Sequence, residues 1–267
     1  MHKSEINVGL FYMEGTNCDS ELYHGFKMQN VNVETIPINK ISKNFDLMKY
    51  HILMVPGGFS GGDYIRAGAL FSARLKHLFQ DKLKSYIKEG RIFGGICNGF
   101  QVLIELGLLP GFEKDFRVEA ALTNNVSNKF ECRLSILSVN KNNNSAISYN
   151  IKKDKLYSLP VAHAEGNFVV GNKKLLNEIE NNNMVIFRYV NPKGEIDEYP
   201  WNPNGSINNI AGISNEEGNV FGLMPHPERV LYKYTSRNWI VEQSNNNIYG
   251  DGWYLINSIV SYAEKKL

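Results

Sequence analysis

The chain has 267 residues, of which 43% are hydrophobic and 21% charged, and its formal net charge is +2. These values are typical of a globular protein with a sizeable core, and the lack of a long basic block argues against a nucleic-acid or membrane-surface partner. No signal-peptide pattern or apolar run of 18 residues occurs, so a cytoplasmic location is expected. The cysteines, Cys18, Cys97 and Cys132, form no C-x-x-C motif, which favours reduced thiols and no metal site.

The first hundred residues alternate between apolar strands and helices. Apolar runs that end in turn-forming residues predict strands at 6–12, 50–58 and 91–96. Helix-forming residues at helical spacing predict helices at 19–30 and 71–90, the second ended by Gly90. Such alternation is typical of βαβ units and a parallel sheet.

The pattern changes between about residues 112 and 225. Further strands, some of them antiparallel, are predicted at 130–140, 167–171, 184–190 and 219–224. Residues 172–183 are interpreted as a solvated, Asn-rich face, and residues 252–267 as a closing helix. The prediction is therefore one α/β domain over 1–267, with a mostly parallel central sheet flanked by helices and additional antiparallel strands in the second half.

Cys97 lies between glycines where a strand gives way to a helix. The run Gly95-Ile96-Cys97-Asn98-Gly99 has the form G-x-C-x-G, the thiol version of a nucleophile elbow. Small neighbours let backbone and substrate approach, and the positive end of the following helix favours a thiolate. That dipole contributes only about 0.3 to 2 kcal/mol, so a base is still needed. A buried cysteine that serves only as a small core residue is the alternative.

Two histidines are candidates for this base. His226 follows an apolar strand, with a proline on each side and Glu228 two residues further on. Because prolines disfavour helix, an extended segment is expected, in which His226 and Glu228 lie on one side and Glu228 orients the imidazole. His163 is the second candidate, with Glu165 similarly placed. The remaining four, His2, His24, His51 and His77, are interpreted as surface or structural residues.

The glycine-rich run "VPGGFSGGDYIRAGA" (55–69) follows another predicted strand. It matches neither a dinucleotide fingerprint nor a P-loop, so phosphate binding is disfavoured. Backbone N–H groups of such a loop suit an oxyanion hole.

Together these residues resemble the class I, or triad, glutamine amidotransferases, which have a flavodoxin-like fold. The resemblance is carried by "GGICNGFQVLIELGLLPG" and "PHPE", and longer stretches are similar to the glutaminase subunits of phosphoribosylformylglycinamidine synthase. These stretches are "EGTNCD", "VPGGFSGGDYIRAGA", "LTNNVSNKFECR", "PVAHAEGNF", "EYPWNPNGSINNIAGI" and "GLMPHPERV". The similarity runs from about residue 6 to 262. Gly61, where the family often has an aromatic residue, and Ala164, where glycine is common, depart from it.

The resemblance implies a specific site. Cys97 attacks the carboxamide of L-glutamine, His226 transfers protons and Glu228 orients it. The backbone N–H groups of Gly58 and Asn98 hold the oxyanion. The family's C-x-G-x-Q pattern places Gln101 in the glutamine pocket.

The resemblance also implies partners. The sequence has no nucleotide-binding motif, so no cofactor is expected in this chain, and ATP and Mg²⁺ are expected on a large synthetase subunit, which converts formylglycinamide ribonucleotide to its amidine. A small accessory subunit is expected as well. The chain is interpreted as a free-standing subunit, with "EGTNCD", "GGFSGGDYIRAG" and "NPNGS" as docking loops.

Three alternatives remain at this point. A glutaminase subunit of another triad amidotransferase would keep the triad but lack "VPGGFSGGDYIRAGA" and "NPNGS". A cysteine hydrolase or chaperone-like protein of a related flavodoxin-like family usually has His directly after the elbow cysteine, where this chain has Asn98. A non-catalytic regulatory module of the same fold would not need all three triad residues.

Overall fold

The computed structural model describes residues 1–112, 115–236, 239 and 247–267. In this part of the chain the strands are β1 (Asn7–Tyr12), β2 (Asn32–Pro37), β3 (Ile52–Val55), β4 (Ile92–Ile96), β5 (Ala120–Thr123), β6 (Glu131–Val139), β7 (Tyr157–His163), β8 (Asn167–Val170), β9 (Val185–Tyr189), β10 (Ile210–Ser214) and β11 (Val220–Leu223). The α-helices are α1 (Asp19–Lys27), α2 (Ala69–Lys88), α3 (Asn98–Glu105), α4 (Lys173–Asn181) and α5 (Asp251–Lys266).

The main sheet has two portions. Its strand order is β2-β1-β3-β4-β11-β10-β9-β6-β7, and β5 pairs with β8 in a separate two-stranded sheet. The pairs from β2 to β11 are parallel, and those from β11 to β7 are antiparallel. The predicted α/β fold, with its parallel centre and added antiparallel strands, is confirmed.

The parallel strands are buried because helices cover them. Strands β3 and β4 are buried along their whole length, as expected for strands with helices on both faces. Helix α1 packs with α5, and α2 with α3. The rings of Phe11, Phe79 and Phe93 meet in this core, at centroid separations of 6.3 and 6.2 Å from Phe11. The core therefore fixes the strand ends from which the candidate site projects.

The carboxyl ends of the parallel strands share one edge of the sheet. The loop after β1, the glycine-rich loop after β3, Cys97 after β4 and His226 after β11 all leave from this edge. In open α/β sheets, such an edge carries the functional site.

The antiparallel portion folds back onto that edge. The backbone N–H of His226 donates to the carbonyl of Pro160 in β7, at 2.8 Å, although three strands separate β7 from β11 in the pairing order. This return places the end of β7 against the segment that follows β11.

Some elements differ from the sequence prediction. Strands β2, β5, β7 and β10 and helix α4 were not predicted. Strand β2 lies at the sheet edge and only one of its six residues is buried, so its apolar signal is weak. Helix α4 buries only Leu176 and Ile179, and the other residues of the Asn-rich run 172–183 are exposed or partly exposed. Gly90 has φ +78°, consistent with its predicted place at the end of α2.

No helix in the described part of the chain is both long and apolar enough to cross a bilayer.

Candidate functional site

Cys97 sits on a strained turn between β4 and α3. Its backbone angles are φ 52° and ψ −107°, a conformation that non-glycine residues rarely adopt and that is concentrated at functional sites. Its N–H donates to the carbonyl of Leu223 at 2.8 Å, so the ladder with β11 holds the turn in place. Cys97 is 4% exposed. The sequence-predicted elbow is therefore present in the structure.

The glycines on either side of Cys97 are required by close packing. A Cβ atom on Gly95 would lie 2.4 Å from the backbone of Gly99, and one on Gly99 would lie 1.9 Å from the carbonyl oxygen of Val55. Both distances are too short for any side chain. The G-x-C-x-G spacing thus lets helix α3 start directly on top of strands β3 and β4.

His226 and Glu228 form a buried pair. Nδ1 of His226 is 2.6 Å from Oε1 of Glu228, and each side chain is 1% exposed. The expected extended segment is wrong in detail, because Pro227–Arg229 forms a single turn of 3-10 helix. The turn follows from Pro227, whose fixed φ suits the first position of a helix. It still brings the imidazole and the carboxylate together.

The pKa of His226 reflects competing effects. Burial acts to lower it, while the negative charges of Glu228 and Cys97 act to raise it. Contacts with the sulfurs of Cys18 and Cys97 also raise it, and the net result is a pKa well above the usual range of a histidine. Such a histidine favours a thiolate beside it. Since Nδ1 is engaged by Glu228, Nε2 is the nitrogen available to the thiol.

The end of β7 completes the surroundings of the thiol. Sγ of Cys97 lies 3.7 Å from the carbonyl oxygen of Ala162. This contact depends on the folded-back antiparallel portion of the sheet. It thus joins residues that are 65 positions apart in sequence.

Two backbone N–H groups lie where an oxyanion hole was predicted. Asn98 is the first residue of α3, and the first N–H groups of a helix have no partner within it. Gly58 has φ +146° and pairs with Thr16 in an isolated bridge. The hydrogen bonds of that bridge run from the N–H of Asn17 to the carbonyl of Gly57 and from the N–H of Phe59 to the carbonyl of Gly15. Gly58, on the loop after β3, and Asn98, at the start of α3, therefore both lie at the edge that carries Cys97.

Gln101 is tied into a polar network beside the elbow. Its Nε2 donates to the carbonyl of Glu165 at 2.7 Å, and its Oε1 accepts from Nδ2 of Asn98 at 3.0 Å. Oδ1 of Asn98 in turn accepts from the hydroxyl of Ser60 at 2.6 Å. Each end of the Gln101 amide keeps further hydrogen-bonding capacity. The network links the nucleophile's helix to the glycine-rich loop and to the segment after β7.

Asp63 is an acidic neighbour of this network that the sequence did not reveal. Burial and the nearby charge of Glu165 raise its pKa to about 6. The backbone N–H of Ala67 donates to Oε2 of Glu165 at 3.2 Å. Glu165 therefore braces the glycine-rich loop, and it does not orient His163 as the sequence suggested.

His163 lies in a different environment from His226. Its Nδ1 is 3.1 Å from Oδ1 of Asn125. Burial and the nearby His226 lower its pKa to about 4, so the ring is neutral at physiological pH. The hydrogen-bond partner is a neutral amide, and in the described part of the chain no carboxylate bonds to this ring as Glu228 bonds to His226.

The two departures from the family pattern have local consequences. Gly61 has φ +65°, and a Cβ there would lie 2.8 Å from Cδ1 of Leu70, so this backbone disfavours the larger residue common in the family. The carbonyl of Ala164 accepts from the N–H of Asn125 at 2.8 Å. Neither residue contacts the Cys97–His226–Glu228 group through a hydrogen bond in the described part of the chain.

The comparisons with known proteins agree with this geometry. A model of the CobB/CobQ-like glutamine amidotransferase domain matches residues 5–263. The phosphoribosylformylglycinamidine synthase subunit PurQ of Archaeoglobus fulgidus is 43% identical, over 99% of this chain and 100% of its own length. The chain belongs to the PurQ family of glutamine amidotransferases. The PurQ of Picrophilus torridus is 46% identical over 83% of this amidotransferase and 86% of its own length.

Solved structures support the family assignment. A chain of the PurLQS structure from Thermotoga maritima has a TM-score of 0.73 and 30% identity, over 97% of this amidotransferase and 99% of that chain. A glutamine amidotransferase from the same organism, with a TM-score of 0.56 and 15% identity, covers 98% of this chain and 99% of its own and shows the fold alone. The predicted family and enzyme class are confirmed.

Proposed function

We propose that this chain is the glutaminase subunit of phosphoribosylformylglycinamidine synthase, in de novo purine biosynthesis. It hydrolyses L-glutamine to glutamate and supplies the ammonia to a synthetase subunit. The observation that carries the proposal is the buried His226–Glu228 pair, 2.6 Å apart, beside a cysteine on a strained elbow. The names of the PurQ relatives and the PurLQS structure support the choice of synthase.

The first half of the reaction forms a thioester. The Cys97 thiolate attacks the carboxamide carbon, and the carbonyl oxygen becomes an oxyanion held by the N–H groups of Gly58 and Asn98. His226 then delivers a proton to the amide nitrogen, so that the C–N bond breaks and ammonia leaves. Glu228 holds the Nδ1 proton and thereby keeps Nε2 directed at the reacting atoms.

The second half of the reaction releases glutamate. His226, neutral once its proton has left with ammonia, takes a proton from water, and the hydroxide attacks the γ-glutamyl thioester. The tetrahedral intermediate collapses with loss of the Cys97 thiolate, so glutamate leaves and the enzyme returns to its starting state. In this account Gln101 lines the glutamine pocket. Its amide bonds to Asn98 and to the carbonyl of Glu165, and it keeps one N–H and one oxygen lone pair free for the substrate.

The product requires a partner. Ammonia released into water is mostly protonated and no longer nucleophilic, so a large synthetase subunit receives it directly. That subunit carries ATP and Mg²⁺ and uses the ammonia to convert formylglycinamide ribonucleotide to formylglycinamidine ribonucleotide. A small accessory subunit completes the assembly. This chain itself holds no cofactor and acts in the cytoplasm, where its three free cysteines stay reduced.

The glycine-rich loop is the best supported of the three predicted docking loops. It exposes Tyr64 by 82% and Ile65 by 76%, which are large apolar side chains suited to an interface. In "NPNGS", by contrast, Asn202, Asn204 and Ser206 are buried. That segment positions the neighbouring loop, because the carbonyl of Asn204 accepts from the N–H of exposed Val126.

The proposal assigns residues 1–267 to one glutaminase domain. The support is that strands from both halves of the chain share the nine-stranded sheet. The site also needs both halves, since Cys97 comes from the first and His226 from the second.

The test is a coupled assay. Glutamate formation is measured with the chain alone and then with the matching synthetase, accessory subunit, ATP and formylglycinamide ribonucleotide. We expect a rise of at least about tenfold in the complex, equivalent to roughly 1.4 kcal/mol of barrier. Cys97→Ser should abolish glutamine-dependent synthesis and leave ammonia-dependent synthesis intact. Full activity of the isolated chain without binding to the synthetase would contradict the proposal.

A further inference from the structure

A second thiol, that of Cys18, contacts the imidazole of His226 at the nitrogen that also bonds to Glu228. Sγ of Cys18 lies 3.8 Å from Nδ1 of His226, the nitrogen that also bonds to Glu228. Cys18 is 1% exposed and belongs to "EGTNCD", the loop between β1 and α1. The reaction described above uses neither this cysteine nor its neighbours.

Cys18 is held in place by three hydrogen bonds, two of which involve its sulfur. It donates to Oδ1 of Asn17 at 3.2 Å and accepts from Nη2 of Arg229 at 3.1 Å. The backbone N–H of Cys18 donates to the carbonyl of Gly57 at 3.2 Å. A cysteine that served only as an apolar filler would not need these partners.

The space around the imidazole leaves little freedom for the ring. A Cβ on Gly57 would lie 2.8 Å from Cε1 of His226 and 3.3 Å from Sγ of Cys18. Gly57 and Cys18 thus bound the ring at the edge that carries Nδ1 and Cε1. Movement of Cys18 would let the ring turn away from Cys97.

The cluster of Cys18, His226 and Glu228 does not have the geometry of a zinc site. Nitrogen and oxygen ligands of one tetrahedral Zn²⁺ lie about 3.3 Å apart, whereas Nδ1 of His226 and Oε1 of Glu228 are 2.6 Å apart. This separation fits a shared proton. The guanidinium of Arg229 on the sulfur also opposes a second cation there.

We propose that Cys18 is a positioning residue for His226. Its sulfur, fixed by Asn17 and Arg229, acts as a second acceptor at Nδ1 beside Glu228. It holds the ring towards Cys97 and stabilises the imidazolium form that supports the Cys97 thiolate. The inference deepens the proposed function and rests on it, since it assigns Cys18 to the same reaction.

The charged and titratable groups that face His226 are few. Glu228 and Cys97 act on it directly, and His163 lies near enough for the two rings to affect each other. Arg229 binds the sulfur of Cys18. A substitution of Cys18 keeps all four of these groups in the chain. A change in the pH profile of such a variant therefore reports the loss of the sulfur contact with His226.

The experiment measures alkylation of Cys97 by iodoacetamide as a function of pH in the full-length protein. All variants carry Cys132→Ser, which removes the exposed thiol, and peptide mass spectrometry quantifies the adduct at Cys97. Cys18→Ser keeps a hydrogen-bonding group at this position, whereas Cys18→Val keeps an apolar side chain of similar size. Circular dichroism and thermal unfolding check that each variant is folded.

We expect Cys18→Val to move the alkylation midpoint to higher pH and to slow the reaction at neutral pH by about fivefold, the size of one hydrogen bond. Cys18→Ser should restore most of the parent profile. In the synthase complex, Cys18→Val should lower kcat for glutamine by a similar factor with little change in KM.

Parent-like profiles in both variants, or a larger change in Cys18→Ser than in Cys18→Val, would overturn the role of Cys18. If Cys18→Val does not fold, a parent-like profile in Cys18→Ala would overturn it in the same way. Failure of the proposed function has a different signature. In that case Cys97, in the protein with an unchanged Cys18, would show no enhanced alkylation over that of Cys132 in a separate reference protein that keeps Cys132 and carries Cys97→Ser.

Discussion

Two buried histidines, one after β11 and one at the end of β7, lie at the same edge of the sheet but in opposite environments. His226 bonds to a carboxylate, and its pKa lies well above the usual range. His163 bonds to the amide of Asn125, and its pKa falls to about 4. Burial lowers the pKa of both, so the partner decides which histidine can hold a proton during the reaction. Position at the functional edge is therefore not enough to identify the base.

The largest effect that separates the two histidines is on rate. His226→Ala should lower glutaminase activity by about 10² to 10⁴-fold, because it removes the general acid and base. His163→Gln should retain much more activity, since its neutral ring has no proton to transfer. Steady-state kinetics of glutamate formation in the synthase complex measures both. A greater loss in His163→Gln would mean that the roles are reversed.

The next largest effect concerns the carboxylate. Glu228→Gln should lower activity by about 10- to 150-fold, the range for loss of a charged hydrogen bond. It should also lower the pKa of His226, because the charge of Glu228 acts to raise that pKa. The pH dependence of kcat/KM measures the shift. The matched control is Glu180→Gln, which removes a carboxylate that bonds to Arg188 and not to His226. An equal loss in the control would argue against an orienting role for Glu228.

The sequence predicted the parallel portion of the fold and the site better than the antiparallel portion. Strands β3 and β4 are continuous apolar runs, and the G-x-C-x-G spacing is set by packing within 45 residues of chain. Local pattern is sufficient for such features.

The return of β7 to the edge could not be predicted in this way. It depends on pairings across β6, β9 and β10, and neither β7 nor β10 was predicted from the sequence. The sequence therefore placed Glu165 beside His163, whereas the structure gives His163 the partner Asn125. Cys18 was missed for a similar reason, because its contact with His226 spans 208 positions. The only sequence signal was that "EGTNCD" follows a strand at the same edge.

A smaller effect concerns stability. Because the pKa of His163 is about 4 in the folded protein against 6.5 for an ordinary histidine, the unfolded chain takes up a proton first as the pH falls. The contribution of neutral His163 is thus present above pH 6.5 and lost towards pH 4. Between pH 7.5 and 5 it should cost roughly 2 kcal/mol of unfolding free energy.

Urea unfolding at the two pH values measures this contribution. His163→Gln should show a pH dependence weaker than that of the parent by about this amount. His77→Gln, at an exposed position in α2, should keep the parent dependence. An unchanged slope in His163→Gln would show that His163 is not held neutral by burial.

The smallest expected change tests whether the hydrogen-bond partner sets the pKa of a buried histidine. Asn125→Asp gives His163 a carboxylate in place of the amide, so the pKa of His163 should rise from its value of about 4. The gap between the folded and unfolded pKa values of His163 should then narrow, so the stability lost between pH 7.5 and 5 should be smaller than in the parent protein. NMR titration of the His163 ring measures the pKa directly. A pKa that stays low would show that burial, not the partner, controls this histidine.

The most direct measurement of the central claim is covalent labelling. The protein is treated with a diazo-ketone analogue of glutamine, and the adduct is mapped by peptide mass spectrometry. We predict one adduct, at Cys97, formed much more slowly in His226→Ala and at nearly the parent rate in His163→Gln. An adduct mainly at Cys18 or Cys132 would contradict the assignment of Cys97 as the nucleophile.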